Sequence, residues 1–197
     1  MNAFVRAGAL LFALVLSACY PTTVTPIGSS GPMTPDARLV GMWKGMPKDP
    51  KDGPNYITFL PRKDSLEAII VTPAHGDDHG GWMTFAAHTG KVGKNSFINA
   101  RELLDDGQPP SDDTAKDYTP VLYVFGKDGT LRMYMLDDKP VEDAIDKGLL
   151  KGEYKKSDFG DDIRITASAK ELDDFFISHD PKNYFTELLG TYRRVKN

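Results

Sequence analysis

The residues with the clearest chemical potential lie in one short segment, TPAHGDDHGG at 72–81, where two of the four histidines flank two aspartates. Imidazole nitrogens and carboxylate oxygens bind transition metals, so His75, Asp77 and His79 are candidate metal ligands. The alternative is a solvent-exposed turn, because glycines free the backbone and aspartates in loops bond their own backbone. Ligands confined to one flexible loop are poorly preorganised, and no second cluster in the sequence completes the site.

Recognised catalytic motifs are absent from the sequence, which has no Gly-rich phosphate loop, no Gly-x-Ser-x-Gly and no His-Glu-x-x-His. Asp161–Asp162 and Asp173–Asp174 are adjacent pairs, so their side chains diverge and are expected on the solvated surface. We therefore predict that the protein is not an enzyme and uses no cofactor. The net charge of -4, without a dense Lys/Arg cluster, argues against nucleic-acid binding.

The first nineteen residues, MNAFVRAGALLFALVLSAC, have the order of an export signal that ends in a cysteine. Arg6 precedes the apolar run 7–16, which is about half the ~20 residues that a membrane-spanning helix needs. Leu16-Ser17-Ala18-Cys19 resembles the lipobox of bacterial lipoproteins. The resemblance implies a signal peptide over 1–18, cleavage before Cys19 and transfer of diacylglycerol to its sulfur. The alternative is an ordinary signal peptide with a chance cysteine.

Cys19 is the only cysteine, so the chain cannot form an internal disulfide. If Cys19 is lipidated, its acyl chains would each contribute roughly 0.8 kcal/mol per buried methylene and make a membrane the first partner. Tyr20 follows the cysteine where the enterobacterial sorting pattern uses Asp for retention at the inner membrane. We therefore expect the outer membrane, with the protein facing the periplasm.

The chain after Cys19 changes composition near residue 39. The segment YPTTVTPIGSSGPMTPD at 20–36 contains four prolines and many Thr, Ser and Gly residues, with almost no charge. Such a segment buries too little apolar surface to offset its chain entropy. The sequence therefore predicts a lipidated flexible tether over 19–38 and a single β-rich domain over 39–197.

Several segments of that domain alternate between apolar and polar residues with a period of two. Examples are the segments 82–88 and 131–136, in which Met133 and Met135 share one face. The KDG at 127–129 lies between two such segments and predicts a hairpin. We expect a mainly β (α+β) fold, either an antiparallel barrel or a strongly curved sheet with one buried face.

Two or three short helices are expected near the C-terminus. The first, around Val141 and Ala144, ends at Gly148. A capping box, Ser168 to Glu171, opens the second. Asp180-Pro181 is typical of the start of a third helix, which would run through Leu188 and Leu189 to Gly190 before a closing strand over 191–195.

Three short patterns resemble the signatures of lipocalins. They are Gly41-Met42-Trp43, Asp117-Tyr118 and arginines late in the chain (Arg164, Arg193 and Arg194). In that family the Trp plugs the closed end of an up-and-down barrel and the Arg lies across its ring. The resemblance thus implies that Trp43 is a plug at the barrel floor, covered by Arg193 or Arg194. Lys116 stands where the family has Thr.

The sequence leads to two functional hypotheses. In the first, a membrane-anchored periplasmic lipoprotein holds a small apolar ligand or lipid inside its barrel, lined by residues such as Met133 and Met135. In the second, the barrel has no small-molecule ligand and is a protein-interaction module of the cell envelope. It would then be an assembly factor, or an inhibitor of a hydrolase or toxin, that uses the loops 72–81 and 102–117.

Overall fold

The computed structural model describes residues 20–47, 53–76, 79–110, 116–156 and 161–196. Within these ranges, eight antiparallel strands close into a barrel, and a separate three-stranded sheet lies outside it. None of the helices in the described ranges is long and apolar enough to cross a bilayer. The expected mainly β fold with an antiparallel barrel is confirmed.

The barrel strands follow one another in sequence except for the last. They are β2 (Gly41–Gly45), β3 (Tyr56–Pro61), β4 (Leu66–Thr72), β5 (Gly81–Val92), β6 (Asn95–Asp105), β7 (Thr119–Phe125), β8 (Thr130–Met135) and β11 (Glu187–Arg194). β11 pairs with both β8 and β2, and so closes the barrel. The second sheet consists of β1 (Thr22–Thr23), β10 (Asp162–Ile165) and β9 (Gly152–Lys155), with β1 parallel to β10.

Alternation along the strands produces two apolar clusters, one on each face of the barrel wall. The inward-facing cluster includes Met83 and Phe85 of β5 and Met133 and Met135 of β8. Because successive side chains of a strand point to opposite faces, the intervening positions lie outside the barrel. There they meet solvent or a second cluster that joins the barrel to the outer sheet and the helices.

Two α-helices, α1 (Asp138–Asp146) and α2 (Ala169–Ser178), cover part of the outer wall. α2 begins with the predicted capping box, in which Ser168 and Glu171 each bond the backbone of the other. Its Phe176 ring lies 5.9 Å from that of Phe97, a residue of β6. The second cluster therefore fixes α2 against the barrel.

The predicted third helix is wrong. Only Pro181–Asn183 forms a single 3-10 turn, with Asp180 as its cap, and Leu188 and Leu189 belong to β11. Leu188 stands in register opposite Tyr134 of β8, and the register shifts between Leu188 and Gly190. Pairing with β8 therefore overrides the helical spacing of these residues.

The predicted flexible tether is also wrong for its described part, residues 20–38. Thr22 and Thr23 form β1, and Ile27 is completely buried. The Asn99 side chain accepts a hydrogen bond from the Ile27 amide at 2.7 Å and donates one to its carbonyl at 3.0 Å. The Gly28 amide bonds the Asp173 carboxylate at 2.6 Å. These partners lie 72 and 145 residues away in sequence, which local composition does not reveal.

The two ends of the barrel differ. At one, here called the closed end, short connections join β3 to β4, β5 to β6 and β7 to β8, and the chain around Asp36 and Leu39 approaches β2. At the other, the open end, longer connections span residues 46–55, 73–80, 106–118 and 136–186. The described parts of both predicted exposed loops, 72–81 and 102–117, therefore lie at the open end, although residues 102–105 belong to β6.

Candidate functional site

The floor of the barrel is built around Trp43. Its indole Nε1 donates to the Leu39 carbonyl at 2.7 Å, and the Arg194 guanidinium lies 4.4 Å from the centroid of the indole ring. The same guanidinium donates to the carbonyls of Val40 and Arg38. A planar, delocalised cation can stack on an indole while its N–H groups bond carbonyls, so Arg194 ties β11 to the segment before β2.

The structure thus brings Trp43 together with Arg194. The adjacent Arg193 is exposed and stands in register opposite Lys44 and Thr130. Arg164 lies in the outer sheet, where its Nε is 2.6 Å from a carboxylate oxygen of Asp117. Of the three late arginines, only Arg194 occupies the position that the resemblance implied.

A polar network seals the closed end around the floor. The Tyr123 hydroxyl donates to Asp36 at 2.7 Å, and Arg38 forms an ion pair with the same carboxylate at 2.6 Å. The hydrogen bond from Arg38, with that from Tyr123, lowers the pKa of Asp36 to about 2, although burial opposes the shift. Burial and the bond to Asp36 raise the pKa of the Tyr123 hydroxyl. Arg38 also stacks over Phe125 at 4.7 Å.

Above the floor, the barrel encloses a cavity of about 50 Å³. Twelve residues from seven strands line it: Ile57, Phe59, Ala68, Ile70, Phe85, Ile98, Ala100, Thr119, Val121, Met133, Met135 and Leu189. All are apolar except Thr119. Four of them (Ile70, Ala100, Thr119 and Leu189) are only partly buried, so the cavity opens toward the open end.

The chemistry of this cavity is that of an apolar binding site. An eight-stranded barrel has an interior that side chains can just fill or that admits one small ligand. Here aromatic residues fill the floor, whereas Met133 and Met135 line the open half, and methionine side chains adapt their shape readily. The cavity therefore suits a narrow apolar group that enters from the open end.

Acidic side chains border the open end next to the cavity. Glu102 and Asp105 of β6 stand in register opposite the inward-facing Phe85 and Met83. Burial raises the pKa of Glu102, and the negative charge of Asp105 adds to this shift. Burial also raises the pKa of Asp105, and the negative charge of Asp106 adds to that shift. The sequence pattern predicts a loop at Glu102, because a bulge in β6 interrupts the alternation there.

The candidate metal ligands lie at the open end but are only partly described. His75 and His79 are exposed, and Asp77 lies outside the described residues. Among the described residues, no group of three His, Cys, Asp or Glu side chains could hold a metal ion. The site formed by His75, Asp77 and His79 stays a prediction.

The proposed lipid attachment site, Cys19, also lies outside the described residues, which begin at Tyr20. Comparison with protein-family models, with curated proteins and with solved structures finds no significant match to this chain. The eight-stranded antiparallel barrel is compatible with a lipocalin-like fold.

Proposed function

We propose that this chain is a bacterial lipoprotein that binds the apolar end of a small ligand or lipid inside its barrel. The observation that carries the proposal is the cavity of about 50 Å³, lined by apolar side chains and open at one end. Apolar burial contributes roughly 25 cal/mol per Å² removed from water, so a group that fills the cavity is bound without a charged partner. The role is binding rather than catalysis.

The size of the cavity limits the ligand. About 50 Å³ admits only a short apolar segment, such as the terminal part of one acyl chain. The rest of an acyl chain would extend past Leu189 and Thr119 toward the open end. Movement of Met133 and Met135 would deepen the site, because their thioether chains rotate easily.

Replacement of two matched alanines by leucine tests the cavity. Ala100 lines it, whereas Ala86 of the neighbouring strand stands in register opposite Arg101, on the other face of the wall. Ala100→Leu should weaken binding of a fluorescent polyene fatty acid, displaced by palmitate, at least about tenfold, because leucine fills the site. Ala86→Leu should leave the affinity unchanged. Equal effects of the two variants would place the ligand elsewhere.

The leader sequence supports attachment to a membrane through Cys19, with the protein on the periplasmic side of the outer membrane. Charge, apolar run and lipobox follow one another in the order of a lipoprotein signal. Full-length protein expressed in a bacterium with radiolabelled palmitate should acquire label and sediment with outer membranes. Cys19→Ser should do neither. Label retained by Cys19→Ser would show that another residue carries the lipid.

One observation favours a protein-interaction role as the second candidate. The two polar segments 73–80 and 106–118 both connect strands at the open end, where rigid strands would present them together. In that case, shortening these loops should abolish recovery of a specific envelope protein while fatty-acid binding is retained. Unchanged recovery of envelope proteins, with fatty-acid binding retained, would favour the first candidate.

A further inference from the structure

The described chain starts at the open end of the barrel, beside the cavity. Tyr20 packs against the apolar cluster of the barrel interior. Thr23 and Tyr118 exchange two backbone hydrogen bonds, of 2.9 and 2.8 Å, and Thr119, the next residue, lines the cavity. Tyr20 is therefore held close to the opening of the cavity.

This position limits how far a lipid on Cys19 can be from the barrel. Cys19 directly precedes Tyr20, and consecutive Cα atoms are about 3.8 Å apart. A flexible tether over 20–36 would instead have had an end-to-end distance of roughly 20–25 Å. Because that tether is folded, a lipid on Cys19 would bring the open end itself to the membrane.

Three large apolar side chains are exposed on the outer wall near the same end. Val71, Trp82 and Leu103 are 38%, 39% and 40% exposed, and we call them the apolar rim. Val71 stands in register opposite Trp82, and Leu103 lies at the bulge of the next strand. Exposed apolar patches mark interaction sites, and tryptophan is favoured where an apolar phase meets water.

We propose that the apolar rim rests on the surface of a phospholipid bilayer, with the open end facing the membrane and the closed end directed away from it. The proposal rests on the lipid attachment at Cys19 proposed above. It also places the cavity opening at the bilayer, so an acyl chain could enter it without crossing bulk water. Glu102, Asp105 and Asp106 lie at the same end, so the rim should favour zwitterionic over anionic lipid.

The two tryptophans report on the orientation, because Trp82 belongs to the rim and Trp43 to the closed end. Full-length protein is expressed in a bacterium, extracted and reconstituted into phosphatidylcholine vesicles that carry a nitroxide near the headgroup. In Trp43→Phe, the nitroxide should quench the Trp82 emission. In Trp82→Phe, the Trp43 emission should persist. Equal quenching of both, or quenching of Trp43 alone, would overturn the proposal.

A second comparison keeps the test decisive if Trp43→Phe does not fold. Leu103→Lys on the rim should reduce nitroxide quenching in the protein with both tryptophans. Met42→Lys provides the control, since Met42 is 45% exposed and its carbonyl accepts the Val195 amide at the closed end. Equal quenching in the two lysine variants would overturn the proposal. The proposal would also be overturned if aqueous iodide quenches Trp82 in protein bound to vesicles but not in native envelopes. A protein of the envelope, rather than lipid, would then cover the rim.

The orientation and the lipid attachment can fail separately. The mass of the extracted protein shows whether Cys19 carries diacylglycerol. If the thiol is free, it can be coupled to a maleimide phospholipid in the same vesicles, because it is the only cysteine in the chain. Quenching of Trp82 in that sample supports the orientation although the natural attachment is refuted. Absence of quenching refutes the orientation as well.

Discussion

The Arg194 guanidinium lies 4.4 Å from the centroid of the Trp43 indole ring, and its N–H groups also bond the carbonyls of Val40 and Arg38. One side chain near the end of the chain thereby joins β11 to the segment that leads into β2. These two strands also pair at Arg194 and Trp43. The contact holds the last strand where it closes the barrel.

We predict that Arg194→Lys lowers the free energy of unfolding by about 1–2 kcal/mol, because lysine lacks the planar fork that bonds two carbonyls and stacks on the ring. Unfolding in urea, monitored by tryptophan fluorescence, measures the change. Arg193→Lys is the matched control and should stay within about 0.5 kcal/mol of the unmodified protein, since both arginines are exposed but Arg194 is the one that stacks on Trp43 and bonds the two carbonyls. Equal losses in both variants would show that stacking on Trp43 and the bonds to the two carbonyls do not account for the effect.

The barrel could be predicted from the sequence because apolar and polar residues alternate along its strands. Met133 and Met135 illustrate this, since both have the inward orientation that their spacing indicated. The Asp117-Tyr118 pattern also precedes a strand, β7, as expected. Such local patterns survive folding when one face of a strand is buried and the other is not.

The errors in the sequence analysis have a common physical cause, which is pairing between distant parts of the chain. Residues 20–38 have the composition of a linker, yet Asn99 and Asp173 bind their backbone. Leu188 and Leu189 have helical spacing, yet they belong to a strand that pairs with β8. The sequence placed Met133 and Met135 in the lining of an interior site, but the size of the cavity was invisible, because it depends on which side chains of seven strands leave space between them.

The folded N-terminal segment should depend on Asp173. The sequence pattern predicted Asp173 on the solvated surface, but its carboxylate is almost fully buried. It accepts bonds from the amides of Gly28 at 2.6 Å and Ser30 at 3.1 Å, and from the Ser30 hydroxyl. An amide offers one acceptor oxygen instead of two, so Asp173→Asn should cost about 1.5–3 kcal/mol. It should also expose residues 28–36 to limited proteolysis.

The next residue provides the control for this prediction. Asp174 pairs with Lys170 on the surface of α2, where its side chain is 57% exposed. Asp174→Asn should therefore change the stability by less than about 0.5 kcal/mol and leave the cleavage pattern unaltered. Cleavage after residue 28 at the same rate in both variants would contradict a specific role of Asp173.

The bonds that Asp36 accepts from Arg38 and Tyr123 should make the closed end sensitive to acid. The pKa of Asp36 in the folded protein is about 2, below its usual value of 3.8. Because the pKa of Asp36 is lower in the folded than in the unfolded protein, its ionised carboxylate stabilises the folded state above pH ~4. This contribution is lost as the pH falls through about 2. Tyr123→Phe should therefore cost about 1–2 kcal/mol at pH 7 and progressively less toward pH 2.

Chemical unfolding of Tyr123→Phe at several pH values measures this dependence. Tyr154→Phe removes a similar bond, of 2.9 Å to Asp146, but at an exposed site. Its cost should remain below about 0.5 kcal/mol at every pH, because solvent replaces the bond. A pH-independent cost of Tyr123→Phe would mean that packing of the ring, rather than the bond to Asp36, accounts for its effect.

Gly90 of β5 should not tolerate even a methyl group. A Cβ there would lie 2.2 Å from the Ile27 carbonyl oxygen and 3.1 Å from the Gly28 Cα, both backbone atoms of the N-terminal segment. Replacing glycine by alanine in a strand usually stabilises it, because the unfolded chain loses freedom. Here the clash should dominate, and Gly90→Ala should cost about 1–3 kcal/mol through displacement of residues 27 and 28.

The control for Gly90 is Gly31, where an added Cβ would meet no atom within 4 Å. Gly31→Ala should be neutral or slightly stabilising in urea unfolding. Amide hydrogen exchange of Ile27 should accelerate in Gly90→Ala and not in Gly31→Ala, since only the first variant separates Ile27 from Asn99. A stabilised Gly90→Ala would show that the N-terminal segment does not lie against β5, and Tyr20 could then not hold the lipid anchor at the open end.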